Sequence, residues 1–247
     1  MVSLALFLRL IDKQASVVLP NGLTENLNYL IKILNHNSIP IVKNESEIRG
    51  LRGHVEGIVI CDTANSKLVP FYSVLMEEFI EKGIQVIEID HHFGTDSEAV
   101  TERGIKLFRE ASATTEIVGE FLQSLARKFP ETEDPFSQRN ILIGLITGLL
   151  GDTVGGKAIL FKNDFDYWME KLGNKLTQNT RWRSARGDRT DDSKKSKFGT
   201  PEKIGEYLDQ LSNEQEKYIA VLTKRIEKQG GLGFLNLMNS ALEEIES

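Results

Sequence analysis

The sequence predicts an α/β protein: a mostly parallel sheet with helices on both faces, followed by a helical C-terminal segment. Two observations carry that expectation. Short apolar runs of strand length alternate with stretches of helical periodicity through residue 150, the order that builds parallel sheets covered on both sides. After Gly173 the apolar periodicity gives way to a charged stretch and then to a capped helix start.

Residues 2–11 read as a helix that is apolar on most sides, and "QASVVLP" (14–20) reads as a strand closed by the turn Pro20-Asn21-Gly22. Leu27, Leu30, Ile31 and Leu34 form the i, i+3, i+4, i+7 stripe of an amphipathic helix. "IPIV" (39–42) and "VEGIVIC" (55–61) are strands, the second ending at Asp62. Leu68, Tyr72, Leu75, Met76 and Phe79 mark a helix in which Pro70 is tolerated near the first turn. "GIQVIEI" (83–89) is the next strand, and it runs into Asp90, His91 and His92. A helix is expected from Ser112–Thr115 to Arg127, and one apolar almost all round over 137–150.

The segment 181–199 holds seven Lys/Arg and three Asp and reads as a long exposed loop. Thr200-Pro201 then opens a helix, a capping hydroxyl ahead of proline at the first helical position, running to about Gln229. The expected division is an α/β domain over 1–173, a basic linker over 174–200 and a helical segment over 201–247.

A net charge of −6 argues against a surface built as a whole for nucleic acid. Cys61 is the single cysteine, which leaves no internal disulfide and no thiolate zinc cage and fits a reducing, cytoplasmic setting. The longest apolar run, 141–151, is short for a bilayer span. The opening "MVSLALFLRL" lacks the basic start and cleavage site of a signal peptide.

In open α/β sheets, ligands bind beyond the carboxyl ends of strands. Asp62 ends one expected strand, and Asp90, His91 and His92 end another; Asp152 stands where a buried helix breaks into "GDTVGG". Taken singly, a strand-end Asp is a turn former or helix cap, a His pair is a surface feature, and Asp152 is a helix-end residue. Together they offer carboxylate oxygen and imidazole nitrogen, a donor set suited to Mn²⁺, Mg²⁺, Co²⁺ or Fe²⁺. His36 and His54 read as surface residues.

"VICDTAN" (59–65), "EIDHHFG" (88–94), "ASATTEIVGEFL" (111–122) and "GLITGLLGDTVGG" (144–156) resemble, in order, the successive blocks of the DHH phosphoesterases. That family includes single-strand exonucleases, oligoribonucleases that also act on adenosine bisphosphate, cyclic-dinucleotide phosphodiesterases and the related manganese pyrophosphatases. The resemblance implies a hydrolase of phosphodiester or phosphomonoester bonds in nucleotides or short single-stranded oligonucleotides. Asp62, His91 and Asp152 would hold Mn²⁺ (or Mg²⁺ or Co²⁺), His92 would face the substrate phosphate and Asp90 would support an imidazole. Thr114 and Thr115 would start a helix, and Thr153 would brace the loop holding Asp152.

The family's leading His-x-x-x-Asp-x-Asp block does not occur in the chain, and "KQGGLGFLNLM" (228–238) has glycines but no histidine where the family carries a Gly-Gly-Gly-His-type loop. The expectation is therefore a truncated or impaired enzyme holding one ion or none where the family holds two, with a gap or exposed edge in the sheet. A non-catalytic pseudoenzyme binding a nucleotide or protein is the alternative, and an active enzyme completing its site with another chain, such as a homodimer, is a third. Arg181, Arg183, Arg186 and Arg189, with Trp182 among them, form a separate expectation: phosphate contacts and base stacking, against the simpler reading of a solvated linker.

Overall fold

The computed structural model describes residues 1–94, 97–210, 213–229 and 232–235, except 186–196. The α/β architecture is present: a parallel sheet has helices around it and a largely helical C-terminal part follows. The chain runs α1 (Val2–Leu10), β1 (Val17–Val18), α2 (Asn28–His36), β2 (Ile41–Val42), α3 (Glu45–Arg49), β3 (Gly57–Cys61) and α4 (Tyr72–Leu75), the last continuing as a π turn to Ile80. There follow β4 (Gln85–Asp90), β5 (Ile105–Phe108), α5 (Thr114–Lys128), α6 (Arg139–Asp152) and α7 (Lys162–Ala185). α8 (Pro201–Leu208), α9 (Asn213–Lys224), β6 (Ile226–Gln229) and β7 (Leu232–Leu235) complete the described part.

β3, β4 and β5 are parallel, in that order, with Cys61 opposite Ile89 and Asp90 opposite Phe108. β1 and β2 form a separate parallel pair. Both pieces nevertheless divide the same two apolar clusters. Val17 and Leu19 join Ile89 and Cys61 in the larger one, and Val18 and Val42 join Ile58 in the smaller. Alternate side chains of a strand face opposite sides, so the two sheets form one layer that is interrupted rather than continuous. β1 and β3 each keep one edge without a strand partner among the described residues.

On one side of the layer lie α1, α2, α5, α6, α7 and α8, whose side chains build the larger cluster. α3 and α4 cover the other side through Ile48, Val74, Leu75 and Phe79. α6 is the central helix: Leu142, Ile146 and Leu149 are wholly excluded from solvent. It carries Gly144 and Gly148, which allow close approach. A Cβ at Gly144 would meet Ser3 Oγ of α1 at 2.5 Å, and one at Gly148 would strike the Thr115 hydroxyl of α5.

Three elements differ from the sequence expectation. β5 has exposed residues at Ile105, Lys106 and Phe108 and so lacks a buried apolar run. α7 passes through residue 174 to Ala185, so the first residues of the expected linker are helical. Buried Trp168, Leu172 and Leu176 recur every four residues and hold that helix to the core despite its polar composition. At the other end, the helix expected from Thr200 to about Gln229 is two helices followed by the antiparallel pair β6–β7. Gly230-Gly231 separates strands whose last and first residues, Gln229 and Leu232, are paired. That two-residue spacing is the one hairpins use.

Among the described residues no helix is long and apolar enough to cross a membrane.

Candidate metal centre at the carboxyl ends of β3 and β4

Strand register brings the first three groups together. The Asp62 amide donates to the Ile89 carbonyl at 3.0 Å, extending the β3–β4 ladder by one residue and setting Asp62 beside the end of β4. Asp62 itself has φ 59°, the left-handed region that is uncommon for a residue with a Cβ and is best tolerated by Asn and Asp. The turn thus lifts its carboxylate off the strand.

His91 Nε2 lies 3.5 Å from Asp62 Oδ1, and His92 Nδ1 lies 3.9 Å from the same oxygen. One ligand atom from each of Asp62, His91 and His92 lies within 4.8 Å of the other two. The two rings meet edge to face, with centroids 4.6 Å apart. Each imidazole is held from behind. His91 Nδ1–H donates to the Ala111 carbonyl at 3.0 Å, which directs Nε2 to Asp62. His92 Nδ1–H donates to Asp90 Oδ1 at 2.7 Å, which occupies Nδ1 and leaves Nε2 as its open nitrogen. Asp90 is buried, while Asp62 and His92 are each 43% exposed at the side chain, so the trio opens to solvent on one side.

The N-terminus of α5 supplies the remaining contacts. Thr114 Oγ1 donates to Asp62 Oδ1 at 2.8 Å, and the Thr114 backbone favours the charged form of Asp152. Two carboxylates, one from the end of β3 and one from the end of α6, therefore meet the positive end of the α5 dipole. Thr153, fully buried, donates to the Leu149 carbonyl at 2.7 Å and accepts from the Gly156 amide at 3.2 Å, fastening the loop that follows Asp152.

The electrostatics are those of crowded acids and one strong base. Burial, and then the charge of Asp62, push Asp152 up to about 6. The hydrogen bond from His91, followed by that from Thr114, holds Asp62 below the usual carboxylate range despite its partial burial. The Asp62 carboxylate is the main reason that His91 rises to about 9. A divalent cation would relieve the repulsion between Asp62 and Asp152 and replace the proton that His91 holds between them. One carboxylate oxygen and two imidazole nitrogens are a donor set that divalent cations accept.

Of the residues expected at the site, Asp62, His91 and His92 are brought together, Asp90 backs His92, and Asp152 stands within electrostatic reach of Asp62, His91 and His92. His36 and His54 are exposed and apart from this cluster. Arg181, Trp182 and Arg183 fall in the final stretch of α7. Their side chains, and Arg186 and Arg189 entirely, lie outside the described residues, and so does the base-stacking expectation placed on them. Thr114 was expected only to open a helix; its contact with Asp62 becomes legible only once α5 is docked. The chain matches no protein-family model, and no curated protein matches it.

Proposed function

We propose that this protein is a metal-dependent phosphoesterase acting on phosphodiester or phosphomonoester bonds of nucleotides or short single-stranded oligonucleotides. The observation that carries the proposal is the Asp62 carboxylate set against two imidazoles at the carboxyl rim of a parallel sheet, with ligand atoms within 4.8 Å of one another. Asp62 and His91 would hold the ion and Asp152 would complete its charge balance. When bound, the ion supplies Lewis-acid polarisation of a phosphoryl oxygen and lowers the pKa of an attacking water.

The chain's own residues do the rest. The Ala111 carbonyl keeps His91 Nε2 turned toward the ion's place, and Asp90 fixes the His92 ring so that Nε2 stays open and, in the imidazolium form, donates to phosphate. The α5 N-terminus favours the anionic group that enters. The ordered resemblance to the DHH phosphoesterases supports the same reading and narrows the substrate to nucleotides.

A second reading is favoured by one observation. Among the described residues a single His/carboxylate group of this kind occurs, and its three members are few for the paired ions of the resembled family. On that reading the rim binds a nucleotide without cleaving it. The test is turnover of a short RNA and of adenosine bisphosphate with Mn²⁺, alongside Asp62→Asn. Hydrolysis by the wild type and not by the variant supports the enzyme. Equal rates defeat it, and tight nucleotide binding with no turnover selects the second reading.

A further inference from the structure

Glu88 lies inside the sheet and has no part in the site described above, yet it is buried and fully engaged. Its Oε2 accepts from the Val100 amide at 2.7 Å, and its Oε1 accepts from the Thr101 amide at 2.9 Å and the Thr101 hydroxyl at 2.6 Å. All three donors belong to one place, the point at which the chain returns to the sheet after leaving β4 at Asp90. Tyr72 secures the same point, its hydroxyl donating to the Val100 carbonyl at 2.8 Å. Val100 packs there against Ile60 and Val86.

Glu88 and Asp90 are two residues apart on β4 and so project from the same face. Asp90 holds His92 at the departure of the loop, and Glu88 holds Val100 and Thr101 at its return. Between these feet the Glu98 amide donates to the Ala64 carbonyl at 2.8 Å, two residues beyond Asp62. Residues 98–101 therefore join the segment carrying Asp62 to β4, the strand that leads into His91 and His92. Burying a carboxylate is costly unless its hydrogen bonds are complete, and here all three come from this loop.

We infer that Glu88 is a positioning residue: by clamping Val100 and Thr101, next to the Glu98 amide that holds Ala64, it fixes the segment carrying Asp62 against the strand end carrying His92. The inference rests on the proposed metal site for its functional meaning, although the clamp can be tested apart from it. In Glu88→Gln one carboxylate oxygen becomes an amide that faces an N–H donor, so the clamp opens while the side-chain volume is kept. Thr101→Val removes one of the three bonds and should give a smaller effect of the same kind. Val74→Ala, in the cluster packed by α4, serves as a control of comparable stability loss that leaves the clamp intact.

Three quantities are read on the full chain: the ¹⁵N signature of the His92 ring without metal, hydrogen exchange of the Glu98 amide, and Mn²⁺ affinity. In Glu88→Gln the ring signature should shift from a single tautomer toward a mixture, and the Glu98 amide should exchange faster. Mn²⁺ should bind roughly tenfold more weakly, the low end of what partners behind a metal ligand contribute. The control should leave the ring signature in place. If the ring and the Glu98 amide are unchanged in Glu88→Gln, or change equally in Val74→Ala, the inference is overturned. If the wild type binds no Mn²⁺, the metal reading fails, and the ring and exchange measurements still decide the clamp. Should Glu88→Gln not fold, Thr101→Val carries the same readings.

Discussion

Replacing Asp62 with asparagine should bring His91 back to ordinary behaviour. In the wild type His91 stands at about 9 against an unperturbed 6.5, with the hydrogen bond it donates to Asp62 the largest cause. At about 1.36 kcal/mol per pH unit, that gap corresponds to ~3 kcal/mol favouring the imidazolium. The side chain is only 14% exposed, so solvent screens little of it. The carboxamide in Asp62→Asn keeps an oxygen that can accept a hydrogen bond but has no charge. Burial opposes the charged ring while the Ala111 carbonyl and Asp152 continue to favour the proton, so the His91 pKa in the variant should fall well below that of the wild type.

The sign follows from linkage. A histidine whose pKa is raised by folding adds stability that is fully present below 6.5 and is lost as pH rises through about 9. Metal-free wild type should therefore lose up to ~3 kcal/mol between those pH values, and Asp62→Asn should show a nearly flat profile. Ring titration by NMR gives the pKa, and urea melts at about pH 6 and about pH 9.5 give the stability limb. A His91 that still titrates near 9 in Asp62→Asn would refute the assignment of its basicity to Asp62.

Three further outcomes are expected. Because a cation must displace the His91 proton, Mn²⁺ affinity should rise about tenfold per pH unit between about pH 7 and 9 and level off above it, which calorimetry in two buffers would check through the proton released. Gly148→Ala should drive a methyl group into the Thr115 hydroxyl, spreading α5 from α6; both a lowered melting temperature and a weakened Mn²⁺ site are expected, since Thr114 and Asp152 sit on those helices. Glu78, buried on α4's π turn, is held at about 2 chiefly by Arg52 and then by Lys82. Its contribution should be present above about 4.5 and be lost as pH falls toward 2, so Glu78→Gln should flatten acid unfolding over that interval.

Much of this architecture could be read in the chain. The strands at 57–61 and 85–90 announce themselves by β-branched runs, and polar residues at their ends stand out because the carboxyl rim is where an α/β sheet meets its ligand. The pairing of Asp62 with His91 needed only that these two strands be neighbours. What could not be read depends on docking. Ile105-Lys106-Leu107-Phe108 has too little burial to register as a strand, being an edge. α7 hides its apolar face in a polar composition, with one buried residue per turn. Thr114 reaches Asp62, and Glu88 reaches Thr101, across distances in sequence that no local pattern encodes.

The break between the β1–β2 pair and the β3–β4–β5 sheet has a consequence for how the molecule opens. Each of β1 and β2 is two residues long, and among the described residues no backbone ladder ties them to the longer sheet. Native-state fluctuations can then open the β1–β2 pair while β3, β4 and β5 stay zipped and α1 and α2 stay docked on the core. The imidazole-bearing rim belongs to the slower unit, and amides of residues 17–19 and 39–42 should lose their protection first.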